Sequence, residues 1–240
     1  MGCYEDNAAR ELIAWQKEMK MKPGAAGSLA KGIQDKMNGI IPDKAHEIIT
    51  EAIKNMVKAV LTGSEYKASA PLRNENLETR EKLVRDKIEF YKKAAAVTGA
   101  GTGAGGILLG LADFPILLSL KMKFLFDTAG LYGFNARNYK ERLYMLYVFQ
   151  LAFSSQEWRN QVFEIVANWN NYSKELPDNE DSFDWRTFQQ QYRDYIDIAK
   201  MLQLVPGIGA FVGAYANYKL MDKLGSTAMN AYRLRVFRFY

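Results

Sequence analysis

The sequence predicts an all-α protein, a multi-helix bundle with two glycine-rich central helical segments, and three observations predict it. Apolar residues recur at three- and four-residue intervals, as in Ile49, Ile53, Val57, Val60 and Leu61. Runs of Val, Ile and Thr alternating with polar residues, the mark of half-buried strands, are missing. Two apolar segments are dense in glycine and alanine: AAAVTGAGTGAGGILLGLADFPILLSL from Ala94 to Leu120, and LVPGIGAFVGAYANYKLMDKLGSTAMNAY from Leu204 to Tyr232. That composition suits close helix packing or contact with a bilayer.

Asn7 to Met21, with Leu12, Ile13, Trp15 and Met19, predicts an amphipathic helix that stops at Lys22-Pro23-Gly24. A short helix is expected over Ala30–Met37. Pro42-Asp43 opens a longer one that ends before Gly63-Ser64, with Lys54 and Lys58 one turn apart on its outward face. Ser64 to Asn76, which contains Pro71, reads as a loop. Glu78 to Lys93 carries Leu83, Val84, Ile88 and Tyr91 at helical spacing and runs without a break into the first glycine-rich segment.

Asp113-Phe114-Pro115 interrupts that segment with an N-cap candidate followed by a first-turn proline, so a new helix is expected from Phe114 to about Leu131. Its side chains are nearly all apolar, with Lys121, Lys123 and Asp127 as exceptions, and it belongs deep in the core. Gly133–Asn138 reads as a turn and Tyr139–Phe153 as an apolar, aromatic helix. Ser154-Ser155-Gln156-Glu157 reads as the N-cap and acidic first turn of an amphipathic helix reaching Lys174. An acidic linker, Glu175 to Asp184, leads to a last pair of helices, Trp185–Leu204 and, beyond Pro206-Gly207, Ile208 to about Arg235. Residues 1–40 are expected to be an N-terminal helical extension and residues 41–240 the main helical domain. The shared spacing of Gly106/Gly110 and Gly209/Gly213, each followed by a Thr-Ala pair, suggests a helical hairpin repeat.

Hydrophobic residues at 48% and charged residues at 25% exclude a disordered chain of this length. A net charge of +5 favours weak attraction to an anionic surface but lacks the Lys/Arg blocks of a nucleic-acid binder, so no nucleic-acid partner is expected. One cysteine, Cys3, and one histidine, His46, exclude a Cys/His zinc site and a disulfide within the chain, and no cofactor is expected. Met1-Gly2-Cys3 lacks the Ser or Thr that myristoylation wants where Asp6 stands. With no secretory pattern ahead of the first helix, a cytoplasmic location is expected.

Gly101-Thr102-Gly103-Ala104-Gly105-Gly106 matches the dinucleotide fingerprint, and Asp127 falls near the expected acidic position. That fingerprint works only after a buried strand, whereas Lys92 to Ala96 continues a helix and Pro115 falls where the crossover helix would run. A nucleotide-dependent enzyme is therefore the least favoured reading. As a packing device, Gly99/Gly103, Gly101/Gly105 and Gly106/Gly110 stack small residues one turn apart, and Gly207, Gly209, Ala210, Gly213 and Ala214 offer a matching surface. Each helical glycine costs about 1 kcal/mol, so such a run requires a compensating contact. A bilayer span would have to bury Asp113 at a cost of about 2.5 to 3.5 kcal/mol, which favours a hairpin that is buried or dips into the interface.

Arg233, Arg235 and Arg238 alternate with Leu234, Val236, Phe237, Phe239 and Tyr240. Such a tail suits anionic headgroups, or equally a helix end whose arginines answer the helix dipole while its aromatics cover the core. His46, near Asp43 and Glu47, reads as structural; Asp178, Glu180, Asp181 and Asp184 lack EF-hand spacing; Trp185, Tyr192 and Tyr195 suit core or groove lining. No catalytic set emerges.

TGAGTGAGGILLGLADFP and LVPGIGAFVGAYANYKLMDKLGSTAMNAYRLR, with AFSSQ and DWRTFQQQYRDYIDIAKMLQ between them, resemble the EcsC protein family of bacteria from about Ile41 to Arg235. The resemblance implies a bacterial protein, often encoded beside components of an ABC exporter, with no established enzymatic activity and no catalytic residues to transfer. The expectation is a non-enzymatic helical protein, peripheral to the inner membrane, that binds lipid or assists an ABC transporter. Its contact residues would be Gly99, Gly103, Gly106, Gly110, Asp113, Pro115, Gly207, Gly209 and Gly213, with Arg233, Arg235, Phe237, Arg238 and Phe239 at the membrane surface. The alternative is a soluble module whose pocket beside Leu108, Leu117 and Phe124 takes an acyl chain or another hydrophobic ligand.

Overall fold

Eight α-helices are formed among the described residues: α1 Cys3–Lys20, α2 Asp43–Thr62, α3 Leu77–Ala100, α4 Phe114–Leu131, α5 Tyr139–Phe153, α6 Arg159–Ala167, α7 Trp169–Glu175 and α8 Ala210–Val236. A 3-10 turn, Leu111–Asp113, precedes α4, and no strand occurs among the described residues. The computed structural model describes residues 3–21, 43–63, 66, 70–100, 111–155, 158–177, 182, 184, 188, 192 and 210–237, the side chains of 43, 46, 99, 100 and 210–213 excepted. The expected helices Ala30–Met37 and most of Trp185–Leu204, the linker residues 178–181, His46, Trp185, Tyr195 and Leu108 lie outside this description.

α5 is the central element because its sequence offers no polar face; every residue except Lys140 is buried. Asn138 starts it with extended backbone, and its side chain accepts a hydrogen bond from the Lys140 N–H at 2.8 Å. Beside it, α3 packs antiparallel to both α4 and α8. Glu81 meets Arg233 where α3 begins and α8 ends, and Lys92 Nζ lies 2.8 Å from Asp222 Oδ1 nearer the other end. Tyr132 reaches Glu81 from the end of α4, whereas Tyr91 donates to Asp127 at 3.0 Å farther along α3. The end of α3 and the starts of α4 and α8 therefore share one end of the bundle. α1 lies across α8 and α6, with Trp15 against Phe163 edge to face at 5.6 Å.

The most extensive helix contact is between α3 and α8, and Gly225 sets its spacing. A Cβ there would stand 2.7 Å from Ile88 Cγ1, closer than side-chain carbons can come. This close approach falls on a glycine of the second glycine-rich segment not singled out from sequence. Gly99 lies in α3 and Gly213 in α8, while Gly103, Gly106, Gly110, Gly207 and Gly209 lie outside the described residues. At the end of α2, Gly63 adopts φ +65° and donates its N–H to Ala59 O at 3.0 Å, the left-handed cap that ends a helix.

Two local expectations are corrected. Asp113 occupies the position before α4, but its φ −88°, ψ −6° is helical because it closes the 3-10 turn, and its side chain caps nothing. Capping needs extended backbone at that residue. Ser154 leaves α5 with extended backbone, φ −60° and ψ 147°, and its hydroxyl donates back to Gln150 O at 2.6 Å; α6 is described from Arg159. The single helix expected to reach Lys174 breaks at Asn168, whose side chain accepts from Asn171 Nδ2 at 2.9 Å and favours a turn over helix continuation.

Candidate functional site

The inward face of α3 runs through Leu77, Glu81, Val84, Ile88 and Tyr91, so the helical register delivers one carboxylate to the interior. Glu81 is 0% exposed, whereas Leu83, placed with the apolar set by the sequence reading, points outward. α8 answers with Arg233, 3% exposed, whose Nε and Nη2 lie 2.7 Å from the two Glu81 oxygens. That is a bidentate pair, the strongest common form of side-chain ion pair. Arg233 Nη1 also donates to Glu11 Oε2 at 2.8 Å and Asn230 Oδ1 at 3.2 Å. Tyr4 donates to Glu81 Oε2 at 2.5 Å and Tyr132 to Oε1 at 3.1 Å.

A second pair stands beside the first. Arg235 Nη1 lies 2.7 and 2.9 Å from the Glu141 oxygens, Tyr232 donates to the same carboxylate at 2.9 Å, and the guanidinium stacks 3.7 Å above the Phe134 ring. Tyr132 and Tyr232 stack at 5.3 Å and join the two pairs. Burial pushes the Glu81 carboxyl up, but the hydrogen bonds and charge of Arg233, with Tyr4 and Tyr132, outweigh this and hold it below its ordinary value. Burial, with Glu81 beside it, pushes the Tyr4 phenol up to about 12. Tyr132 and Tyr232 are raised well above their ordinary value, chiefly by burial. The buried ions of this cluster are thus engaged with one another, in an arrangement that clamps α1, α3, α5 and α8.

Beside the clamp, a groove of about 500 Å³ opens between α1, α3 and α8. Its walls bring the carboxylates Glu11, Glu89 and Asp222 against Arg85 and Arg233, with Ile88 and Met229 as its apolar patches. Two of these carboxylates, Glu89 and Asp222, are engaged by Lys92, at 2.7 and 2.8 Å.

Lys121 is the exception to this pairing. It is fully buried on α4, its Nζ has no hydrogen-bond partner among the described residues, and burial pushes its ammonium down to about 7.

The sequence-derived site residues separate. Arg233 and Arg235, expected at a membrane surface, are ion-pair partners of Glu81 and Glu141 because the last turns of α8 are covered on all sides, residues 227–234 being buried throughout; Phe237 is half-buried against the core. Arg238 and Phe239 lie outside the described residues. Asp113 is half-buried and Pro115 exposed at the opposite end of the bundle. That end also exposes Val97 and Ile116, and Tyr215 with Lys219 Nζ 5.7 Å from its ring. Glu81, Glu141 and Lys121 were missed as site residues. The available signal was an ionisable residue on the apolar face of each of three helices, which a soluble fold tolerates only when paired or neutral.

A helical bundle with a buried ionic clamp and two glycine-rich segments is the class that this fold and site define. The sequence model of the EcsC protein family matches residues 6–237, and the chain belongs to that family. It is 44% identical over 232 residues to Protein EcsC of Bacillus subtilis (strain 168), covering 95% of this chain and 94% of that one. It is 30% identical over 148 residues to the uncharacterized protein YdbA of the same organism, covering 59% of this chain and 52% of that one. No solved structure matches. The family match begins within α1, which agrees with the clamp's use of Glu11.

Proposed function

We propose that this EcsC-family protein is a non-enzymatic helical protein that associates peripherally with the cytoplasmic face of the inner membrane, where it binds lipid or assists an ABC transporter. One observation carries the reading: Gly101–Gly110 and Leu204–Ala210, which contain no charged residue, connect to the bundle end where Val97, Ile116 and Tyr215 are exposed. Uncharged, apolar chain beside exposed aromatic and branched side chains suits the boundary between headgroups and acyl chains. Among the described residues, no helix is long and apolar enough to cross a membrane, which fits association from one side. The clamp supports the non-enzymatic part, since Glu81, Glu141, Arg233 and Arg235 satisfy one another.

Flotation of the purified protein with anionic and neutral vesicles tests this reading. Co-flotation is expected, and protein that stays at the bottom of the gradient with every vesicle and at every salt concentration overturns it. The transporter part rests on the family resemblance and is tested by recovery of an ABC transporter subunit with the protein from detergent-solubilised membranes.

A further inference from the structure

α3 exposes a line of large apolar side chains on the face turned away from the core. Leu83, Phe90 and Val97 are 38%, 62% and 74% exposed, and they follow one another at seven-residue intervals. Seven residues are nearly two helical turns, so the three form a narrow stripe with successive members about 10 Å apart. α4 continues this surface. Lys87 Nζ from α3 and Lys123 Nζ from α4 both reach Asp127, at 3.3 and 2.6 Å, which joins the exposed edges of the two helices. Ile116, 53% exposed, stands seven residues before Lys123 on the α4 edge.

Among the described residues, the unengaged charge on this face is two cations, Lys82 and Lys93, against one anion, Asp86. Lys82 and Lys93 flank the stripe, both exposed and neither with an ion-pair partner among the described residues. Asp86 opposes them, while Glu89 and Asp127 are already engaged by lysines. At the Val97 and Ile116 end, the two edges are linked through Gly101–Gly110, ten residues without a charged side chain.

Resting on the membrane reading above, we infer that the α3–α4 face, with Leu83, Phe90, Val97 and Ile116 bordered by Lys82 and Lys93, is the surface that docks on anionic lipid. The apolar side chains enter the acyl boundary, and the lysines lay their stems along that boundary with their ammonium groups among the phosphates. A protein partner would have to supply carboxylates at matched positions for Lys82 and Lys93, whereas an anionic leaflet presents phosphates across its whole area. This docking face lies away from the C-terminal arginines, which are committed to the interior.

The test is flotation of the full chain with phosphatidylcholine vesicles, with and without phosphatidylglycerol, at low and high salt. Wild type is compared with Phe90→Glu/Val97→Glu and with Lys82→Glu/Lys93→Glu. All four positions face solvent, and circular dichroism melting confirms that both variants fold. Wild type is expected to float with phosphatidylglycerol vesicles at low salt. The lysine pair should weaken that partitioning at least about fivefold for each residue, since charge reversal adds repulsion to the lost attraction, and the apolar pair should abolish it. Wild type that floats while both variants float equally well overturns the docking face and leaves the membrane reading standing. Wild type that floats under no condition overturns both. If Phe90→Glu/Val97→Glu leaves flotation unchanged but converts a dimer to a monomer in sedimentation, the face is a contact between copies of this chain and the inference falls.

Discussion

Where α3 begins and α8 ends, Glu81 and Arg233 hold each other in the interior; where α3 ends and α8 begins, Val97 and Tyr215 stand in solvent. The same two antiparallel helices therefore bury charge at one end and expose apolar surface at the other. Composition alone leaves the arginines equally suited to a headgroup surface and to a helix end that covers the core. Packing decides. Residues 227–234 of α8 are buried on every face, Arg233 among them, whereas Val97 lies two residues past the buried Ala95 and so faces away from the core.

The strongest way to break this comparison is to remove charge from the buried end. Glu81→Gln should cost about 3–5 kcal/mol in urea unfolding, because it leaves the buried Arg233 guanidinium with only the exposed Glu11 as counterion. Glu81→Leu combined with Arg233→Met should cost much less than the single change, since neither ion then remains. A loss below about 1 kcal/mol for Glu81→Gln would show that the pair does not clamp the helices. The Glu81 carboxyl is held below its ordinary value in the folded state, so its contribution is complete above the ordinary carboxylate range. It disappears as pH falls through the lowered value, and Glu81→Gln should flatten that part of the acid unfolding curve.

Lys121 sharpens the comparison from the opposite sign. Its folded value, about 7, is below the ordinary 10.5, so the unfolded chain binds the extra proton between those two values. Stability falls as pH drops through this window, and below it the penalty is constant. Lys121→Met should therefore stabilise the protein by about 2–4 kcal/mol at pH 7, a gain that shrinks as pH approaches 10.5. Equal melting of variant and wild type at pH 7 would mean that the ammonium finds a partner in solution.

Gly225→Ala, midway between the two ends, should cost about 1–3 kcal/mol by pressing on Ile88, and Ile88→Ala should cost less in that background than in the wild type. The smallest effect belongs to the exposed end. Phe90→Glu/Val97→Glu should change stability by no more than about 0.5 kcal/mol per site, because neither side chain belongs to the core. A larger loss would place these residues in an interior contact.

Much of the helical layout is legible in the sequence, most clearly where apolar residues leave no choice of face. α4 and α5 run over the expected residues, because Pro115 fixes one start and the Gly133–Asn138 turn separates the two. What sequence periodicity does not reveal is pairing across the fold. Glu81 and Arg233 are 152 residues apart, and each alone resembles a charge at the edge of an amphipathic helix. Only the packing of α3 on α8 makes them partners. Local geometry accounts for the remaining differences: the 3-10 turn disables Asp113 as a cap, and Asn168 divides one expected helix into α6 and α7. The glycine-rich spacing pointed to close packing between helices, yet among the described residues the tightest approach rests on Gly225, beside a serine and a threonine.

The hydrogen bond between Glu11 and Arg233 joins residues separated by 222 positions. On a ribosome adding about 5–20 residues per second, α1 is complete on the order of ten to forty-five seconds before its partner helix is made. Through that interval α1 lacks the α8 surface across which it later lies. A nascent chain stalled before residue 210 thus presents an amphipathic helix whose Trp15 can meet Phe163 but whose contacts with α8 are missing, a natural target for a chaperone.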